Sequence, residues 1–416
     1  MLRRTIPVKV RPSAEQVQLL GTWLGRCRNL YNACLEQRIT AYRQSKTWPT
    51  KPGRLTSLYG QSAQLPALKE DNPEFKDVNA QVLQDVVHRV DKAFQAFFKR
   101  NRTVKTGGFP RFKSAQRFSS FTHPQGSKFK FENNSFYLPS FGWLKFWNPG
   151  EGSRPFSTCK VKTVTIKRLA DGWWASFSVE VIEPRAVLAP AGKAVGIDLG
   201  LTNFVTCSDG TVYGDLKPIK REERKIRLCQ RSLSRKVKGS NRWRKQKVLL
   251  GKRHLRLDRM RRQQFHFVSR KIVNENDLIA VEDLDVAGMV SQPAKPGSVV
   301  NQRGLRRNIG LAAWAQFVWM LDYKAEEAGR RVMKVDPRGT SQECSSCGRV
   351  VKKDLRVRLH DCPHCGLRID RDLNAARNIL ARGLKQTGGI PPSLIPKGTC
   401  SPDDLKRETV PLGLAA

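Results

Sequence analysis

The sequence predicts an α+β multidomain fold: a β-barrel interrupted by an inserted helical lobe, then a mixed α/β domain carrying a four-cysteine insertion. Three observations lead there. Apolar residues recur at three- and four-residue steps in two long N-terminal segments. Aromatic-rich strand alternation replaces them between residues 108 and 187. From residue 194 onward, apolar strand runs alternate with helical segments, and two C-x-x-C pairs lie between the last strand and the last helix.

Residues 1–12 read as a strand because Ile6, Val8 and Val10 alternate. Ser13 opens a long helix with Gln16 as its capping-box partner, and Val17, Leu20, Leu24, Cys27, Tyr31 and Leu35 keep helical steps. A second helix is expected from about Val78 to Phe98, with Val82, Val86, Val90, Phe94 and Phe97 on one face. A Lys/Pro/Gly/Ser-rich connection near 45–75 joins them. Residues 13–107 are thus the helical lobe, and 1–12 with 108–187 the barrel. Within the barrel, Val161–Leu169 and Trp173–Val181 flank the hairpin turn Ala170-Asp171-Gly172. Its Lys and Arg residues interleave with Phe and Trp, which suits base stacking with phosphate contact, and equally a barrel core with solvated charges.

Residues 188–192 form a linker. The α/β domain is expected at 192–337 and 367–385, with the cysteine module at 338–366 between its parts. It opens with the strand Ala194–Gly200, a second strand Phe204–Cys207 and the turn Ser208-Asp209-Gly210. Residues 217–270 carry 21 Lys/Arg against 3 acids at helical spacing. The strand Leu278–Glu282, a helix near Leu311–Gly329, the strand Arg331–Val335 and a helix Leu373–Leu384 follow. Residues 386–416 lack periodicity and are expected to be a disordered tail.

Composition narrows the partners. The 416 residues include 76 Lys+Arg against 36 Asp+Glu, a net charge of +40. Self-repulsion of that size opposes folding and makes sense if a polyanion is the partner. The start has no apolar leader core and no apolar run is long enough to span a bilayer, so a cytoplasmic protein without a membrane partner is expected. Six of the ten cysteines (27, 34, 159, 207, 229 and 400) share no spacing and read as reduced thiols.

The other four carry chemistry. Cys344-Ser-Ser-Cys347 and Cys362-Pro-His-Cys365 are two knuckles, each followed by glycine, that can bring four thiolates to one Zn²⁺. Four protein ligands leave no open position, so the role is structural, and His364 reads as a bystander. Three carboxylates lie in apolar elements. Asp198 shares a strand face with Gly196 and Gly200, which are expected to keep the backbone open to a large substrate. Glu282 ends an apolar strand run, where open α/β sheets place their sites. Asp372 shares a helical face with Ala375, Ala376 and Ile379, whereas Asp370 reads as the helix N-cap. A buried carboxylate needs a partner, either Lys/Arg or a divalent ion. Three together suit Mg²⁺ or Mn²⁺ and phosphodiester hydrolysis. No G-x-S-x-G, H-E-x-x-H, Walker A or G-x-G-x-x-G motif occurs.

Gly196-Ile-Asp-Leu-Gly200, Val281-Glu-Asp-Leu284, Thr340-Ser-Gln-Glu-Cys-Ser-Ser-Cys-Gly348 and Asp370-Arg-Asp-Leu-Asn-Ala-Ala-Arg-Asn-Ile379 occur in that order. Together with Leu24–Asn32, Ala93–Phe98 and Phe109–Phe112, they resemble TnpB, the transposon-encoded RNA-guided nuclease related to the type V CRISPR effectors. The resemblance covers roughly residues 1–385. It implies a wedge β-barrel with an inserted recognition lobe, then a RuvC-like (RNase H fold) nuclease domain with a zinc-ribbon-type insertion. It implies a guide RNA from the transposon end, a target DNA with a short adjacent duplex motif, and DNA cutting. By motif match, Asp198, Glu282 and Asp372 are the catalytic metal ligands and the four cysteines the zinc ligands. Gln84 matches a position facing target-adjacent duplex. Arg242, Arg244, Lys245 and Lys247 are candidate nucleic-acid contacts from the basic stretch. A monomer is the expected state. Two other readings remain: an RNA-guided DNA-binding regulator without cleavage, which would break the acid triad, and a transposase that joins ends itself, which needs an end-binding helix-turn-helix the sequence does not display.

Overall fold

The computed structural model describes residues 3–47, 56–104, 108–124, 129–132, 134–147, 159–181, 188–291, 299–353 and 357–388. They form two units divided near residue 184. The expected disordered tail lies, apart from its first three residues, outside the described range, as do Cys400 and the side chain of Cys159.

In the first unit, β1 (Arg3–Arg11) leads into α1 (Ala14–Thr47). The capping box closes as its residues require: Ser13 N–H donates to Gln16 Oε1 (3.0 Å) and Gln16 N–H to Ser13 Oγ (3.2 Å). The stretch read as a mere connection contains two short helices, α2 (Leu58–Ala63) and α3 (Leu65–Asp71). They are too short to show a period, but Ser57 caps the first by accepting from Gly60 N–H (3.0 Å). The next helix, α4 (Ala80–Val104), turns Val82, Val86, Val90, Phe94 and Phe97 inward. Arg38, itself buried, ties α1 to α2 through Gln61 (2.8 Å) and to α4 through Asp91 (2.7 Å).

The strands are β2 (Ser120–His123), β3 (Lys130–Glu132), β4 (Ser135–Leu138), β5 (Gly142–Trp147), β6 (Cys159–Leu169) and β7 (Gly172–Val181). With β1 they make a seven-stranded antiparallel sheet, ordered β2-β6-β7-β1-β5-β4-β3. Gly172, at φ +124°, allows the predicted hairpin. Among the described residues the ladder ends at β2 and β3 and is not closed by hydrogen bonds. The sheet is nevertheless curled, because Phe131 on edge strand β3 packs against Phe177 on β7, at 5.4 Å between rings. Alternation sorts the aromatics by face. Phe136, Phe146 and Phe177 are core, whereas Trp143 and Trp147 on the other face of β5 are exposed. Helices and sheet share one core, in which Trp23 of α1 meets Phe141 (4.6 Å) and stacks on the fully buried His123 (5.7 Å).

The second unit is built on a five-stranded mixed sheet, β8 (Ala194–Leu199), β9 (Asn203–Cys207), β10 (Val212–Asp215), β11 (Leu278–Glu282) and β12 (Arg331–Val335), ordered β10-β9-β8-β11-β12. The first three strands are antiparallel neighbours, and β11 is parallel to both β8 and β12. Between β10 and β11 run α5 (Lys217–Ser234) and α6 (Asn241–Glu275). After β11 come α7 (Val286–Ser291), α8 (Val299–Ala312) and α9 (Trp314–Ala328). The single helix expected near 311–329 is interrupted at Ala313, which takes a left-handed conformation (φ +49°). A small hairpin, β13 (Leu359–Asp361) with β14 (Arg368–Asp370), precedes the last helix, α10 (Arg371–Gln386).

The role expected of Gly196 needs correcting. It does not open the strand to a substrate, because α10 lies directly on it. A Cβ there would sit 2.2 Å from Ala376 O and 2.5 Å from Leu380 N. Gly200 is likewise consumed by a turn, where a Cβ would stand 2.4 Å from Asn203 O. Backbone atoms cannot yield as a flexible side chain can. Gly196→Ala is therefore expected to destabilise the protein by about 1–3 kcal/mol or more, read from denaturant midpoints. An unchanged midpoint would show that α10 can lift off the strand at no cost. Among the described residues, no helix is long and apolar enough to cross a membrane.

Candidate acid centre and four-cysteine module

The close contact at Gly196 also determines where the carboxylates meet. Asp198 lies two residues further along β8, and Asp372 lies four residues before Ala376, one turn back along α10. Each step is about 6 Å, two strand residues against one helical turn, so the two acids arrive together. Glu282 comes from the neighbouring strand. The register pairs Ala280 with Gly196 and Val281 with Ile197, so Glu282 and Asp198 are the next level. Burial pushes the Asp198 carboxyl up to about 8, and the charges of Glu282 and Asp372 push in the same direction. Burial also raises Glu282 and Asp372 above the usual carboxylate range. Among the described residues no single lysine or arginine serves all three: Arg371 acts on Asp198 and Asp372, Arg382 on Glu282, and Arg358, itself largely exposed, approaches Asp372 to 3.5 Å. Such a set fits a divalent cation, whose charge would remove the repulsion.

Asp370 does what its position suggests. Its Oδ1 accepts from Asp372 N–H (2.8 Å) and Leu373 N–H (3.2 Å), capping α10 and leaving Asp372 on the inner face with Ala375, Ala376 and Ile379.

The four cysteine sulfurs lie within 4.8 Å of one another, the one group of three or more potential metal ligands that close among the described residues. Cys344 Sγ is 3.5 Å from Cys365 Sγ, and Cys347 Sγ is 3.7 Å from Cys362 Sγ. A tetrahedron with Zn–S bonds near 2.3 Å has edges of about 3.8 Å, while a disulfide needs about 2.05 Å. The donor set therefore suits a structural zinc. The glycines after the knuckles take positive φ (Gly348 +74°, Gly366 +73°), and their N–H groups donate to Cys344 O and Cys362 O (both 2.9 Å). His364 turns away to Arg349 (3.1 Å).

Several residues that join the two sites escape a reading of motifs. Asn374 and Asn378, both buried on α10, donate to Glu343 O at 2.7 Å each, and Asn378 also reaches Thr340 O (2.8 Å). Ser345 N–H donates back to Asn374 Oδ1 (2.9 Å). Arg382 donates to Asp336 O (2.6 Å), Arg338 O (2.8 Å) and the Glu343 carboxylate (2.8 Å). Thr340 donates to Glu282 Oε1 (2.6 Å). The available signal was two asparagines four apart on one helix, buried polar residues that must find partners.

The candidate nucleic-acid residues lie elsewhere. Gln84 is exposed on α4, in the first unit. Arg242, Arg244 and Lys245 are exposed in the first turns of α6, and Lys247 lies half-buried over the Trp243 ring (4.9 Å). The three acids of this stretch do find partners, including the i,i+4 pairs Glu223–Arg227 (3.0 Å) and Asp258–Arg262 (3.0 Å). Buried Glu222 instead joins α5 to α6 through Arg253 (3.1 Å). Three acids still leave most of the 21 cations unbalanced.

Fold and sites together define a mixed α+β protein of more than one domain with a four-cysteine module of zinc-binding type. Residues 314–379 match the family profile "Cas12f1-like, TNB domain", and 176–292 match one described as "Probable transposase". Residues 1–47 match one described as "Helix-turn-helix domain"; here they form a strand and a single long helix. The chain is 32% identical to the "Putative RNA-guided DNA endonuclease InsQ" of Escherichia coli (strain K12) over 386 residues, 90% of this chain and 91% of that protein. It is 31% identical to a "Putative RNA-guided DNA endonuclease" of Streptomyces pristinaespiralis over 390 residues, 92% and 90% of the two chains. A solved assembly, "Cryo-EM structure of the Cas12f1-sgRNA-target DNA complex", aligns with 91% of this chain and 98% of that chain at TM-score 0.48 and 15% identity. The chain belongs to the TnpB family, that of the OrfB proteins of IS605-type transposons.

Proposed function

We propose that this protein is an RNA-guided, divalent-metal-dependent DNA endonuclease, and that Asp198, Glu282 and Asp372 form its cutting site. The observation that carries the reading is the convergence of three carboxylates from two strands and a helix on one end of the sheet, near enough that Glu282 and Asp372 add to the burial that raises Asp198 to about 8. In this reading the second unit is a RuvC-like nuclease domain at 192–337 and 367–385, interrupted by the zinc module at 338–366. The curled sheet is the wedge (1–12 and 108–187), and the helices of 13–107 are the recognition lobe. Mg²⁺ or Mn²⁺ bound between the acids would supply a low-pKa water and charge at the leaving oxygen. The chain's own part is to bring three carboxylates together in one place, where a bound cation would favour their ionised forms. EDTA should stop cutting, and Mg²⁺ or Mn²⁺ should restore it while zinc stays bound. Cutting that persists in EDTA would overturn the assignment.

Guide RNA and target DNA are the partners. A heteroduplex of about 20 bp carries roughly 40 phosphates and is held through its backbone. The basic face of α5 and α6 suits that load. Replacing Arg242, Arg244, Lys245 and Lys247 together with Gln should weaken RNA binding and flatten the slope of log K against log salt by about 3, leaving zinc content unchanged. An unchanged slope would mean these side chains face solvent in the complex.

The "Probable transposase" description names the alternative, a protein that itself joins transposon ends. The two activities separate on one gel: guided cleavage yields cut target, whereas end joining yields strand-transfer product. A cleavage-free regulator yields neither.

A further inference from the structure

We infer that Thr340 is a positioning residue of the acid centre, holding the Glu282 carboxylate for its metal through a single hydrogen bond. The inference rests on the reading of Glu282 as a metal ligand. Glu282 is the last residue of β11; its backbone is paired with Val335 of β12, and the ladder fixes that backbone but not the direction of the carboxylate at the end of a long side chain. Its Oε1 accepts from Thr340 Oγ1 at 2.6 Å, the short distance of a hydroxyl bonded to an ionised carboxylate. A hydroxyl has one proton. Thr340 Oγ1 also lies 3.1 Å from Pro337 O, so the carboxylate is the nearer acceptor. With Oε1 engaged, Oε2 is left to face a metal.

Thr340 can do this because it cannot move. It is 2% exposed, and its carbonyl is held by Asn378 of α10. The turn it occupies is closed by Gln342 N–H and Glu343 N–H, each donating to Gly339 O at 2.8 Å, with Gly339 at φ +77°. Asn374 and Arg382 hold Glu343, next to the first zinc cysteine. The loop between β12 and the first knuckle is thus pinned to α10, the helix that carries Asp372. Glu282 therefore takes its orientation from the loop leading into the zinc module, not from its own strand. Metal-ligating carboxylates are commonly oriented by such outer hydrogen bonds, and losing one typically costs about 10–100-fold in metal affinity or activity.

The test uses the full chain with its guide RNA, in Thr340→Val, Thr340→Ala and Thr340→Ser forms, beside Glu282→Gln. Mn²⁺ binding is read from the electron paramagnetic resonance of the free ion, and cutting is followed against Mg²⁺ concentration. Val and Ala lack the hydroxyl but differ in shape. Both should weaken Mn²⁺ binding, and raise the Mg²⁺ needed for half-maximal cutting, by about 10–100-fold. Zinc content and target binding should stay as they were, and Ser should recover most of the loss. Unchanged Mn²⁺ binding in both Val and Ala would overturn the proposal. So would equal losses in all three forms, or loss of zinc, since either would show a role in packing alone. If Glu282→Gln cuts normally, the acid-centre reading itself fails. If Glu282→Gln is inactive while Val and Ala behave as the unsubstituted protein, only the role of Thr340 fails.

Discussion

Asp198→Ala, Glu282→Gln and Asp372→Ala should each reduce target cutting by about 10⁴-fold or more, because residues that act as a unit fail as a unit. Guide RNA and target binding should remain. A carboxylate repels phosphate unless a cation intervenes, so none of the three contributes to holding the polyanion. Removing Asp198 also relieves a crowded cluster, since its carboxyl is the one raised to about 8 by burial and its two neighbours. The variant should therefore fold at least as stably in the absence of divalent metal. Asp370→Ala is the internal comparison. It loses a helix cap worth about 1 kcal/mol and should still cut. If Asp372→Ala cuts and Asp370→Ala does not, the third ligand is Asp370, and the assignment from the inner face of α10 is wrong. The measurement is single-turnover cleavage of a labelled duplex by the reconstituted complex, alongside a binding assay in EDTA.

The second large effect concerns zinc. Purified protein should carry close to one zinc per chain by elemental analysis, and the double variant Cys347→Ser/Cys365→Ser should carry none. Structural zinc sites bind with an apparent free energy of about 10–16 kcal/mol in small modules, energy that is also folding energy. The short β13–β14 hairpin and the two knuckles have little apolar core of their own, so 338–366 should unfold locally without the ion. The loss should not stop there. Glu343 and Ser345 are bonded to Asn374 and Asn378, and Thr340 to Glu282, so cutting should fall even where target binding survives. A double variant that retains stoichiometric zinc and its fold would exclude the four-thiolate site.

Features written into short stretches of sequence were legible without coordinates. Both knuckles bring their ligands within three residues of each other, so their chemistry depends on local geometry that any fold would preserve. The Ser13–Gln16 capping box, the Ala170-Asp171-Gly172 hairpin and the Asp370 cap are local in the same sense. The inward face of α10, with Asp372, Ala375, Ala376 and Ile379, followed from helical periodicity alone. Charge was equally plain: a net +40 favours a polyanionic partner whatever the fold.

Only the tertiary structure decided what lies between distant segments. Gly196 seemed a residue that kept the strand open, yet its missing side chain is what lets α10 rest on β8 and bring Asp372 to Asp198. The Thr340–Glu282 bond joins residues 58 apart in the chain. Asn374 and Asn378 looked like ordinary polar positions on a helix until their partners, the backbone carbonyls of a loop more than 30 residues earlier, were in place. The interruption at Ala313 falls on an alanine, a residue whose type gives no sign of a left-handed break. The curl of the first sheet depends on Phe131 meeting Phe177 across intervening strands. Periodicity and spacing report the energetics of one segment against water. The partner of a buried hydroxyl, or the space a glycine must leave, is determined by a second segment, and packing alone brings the two together.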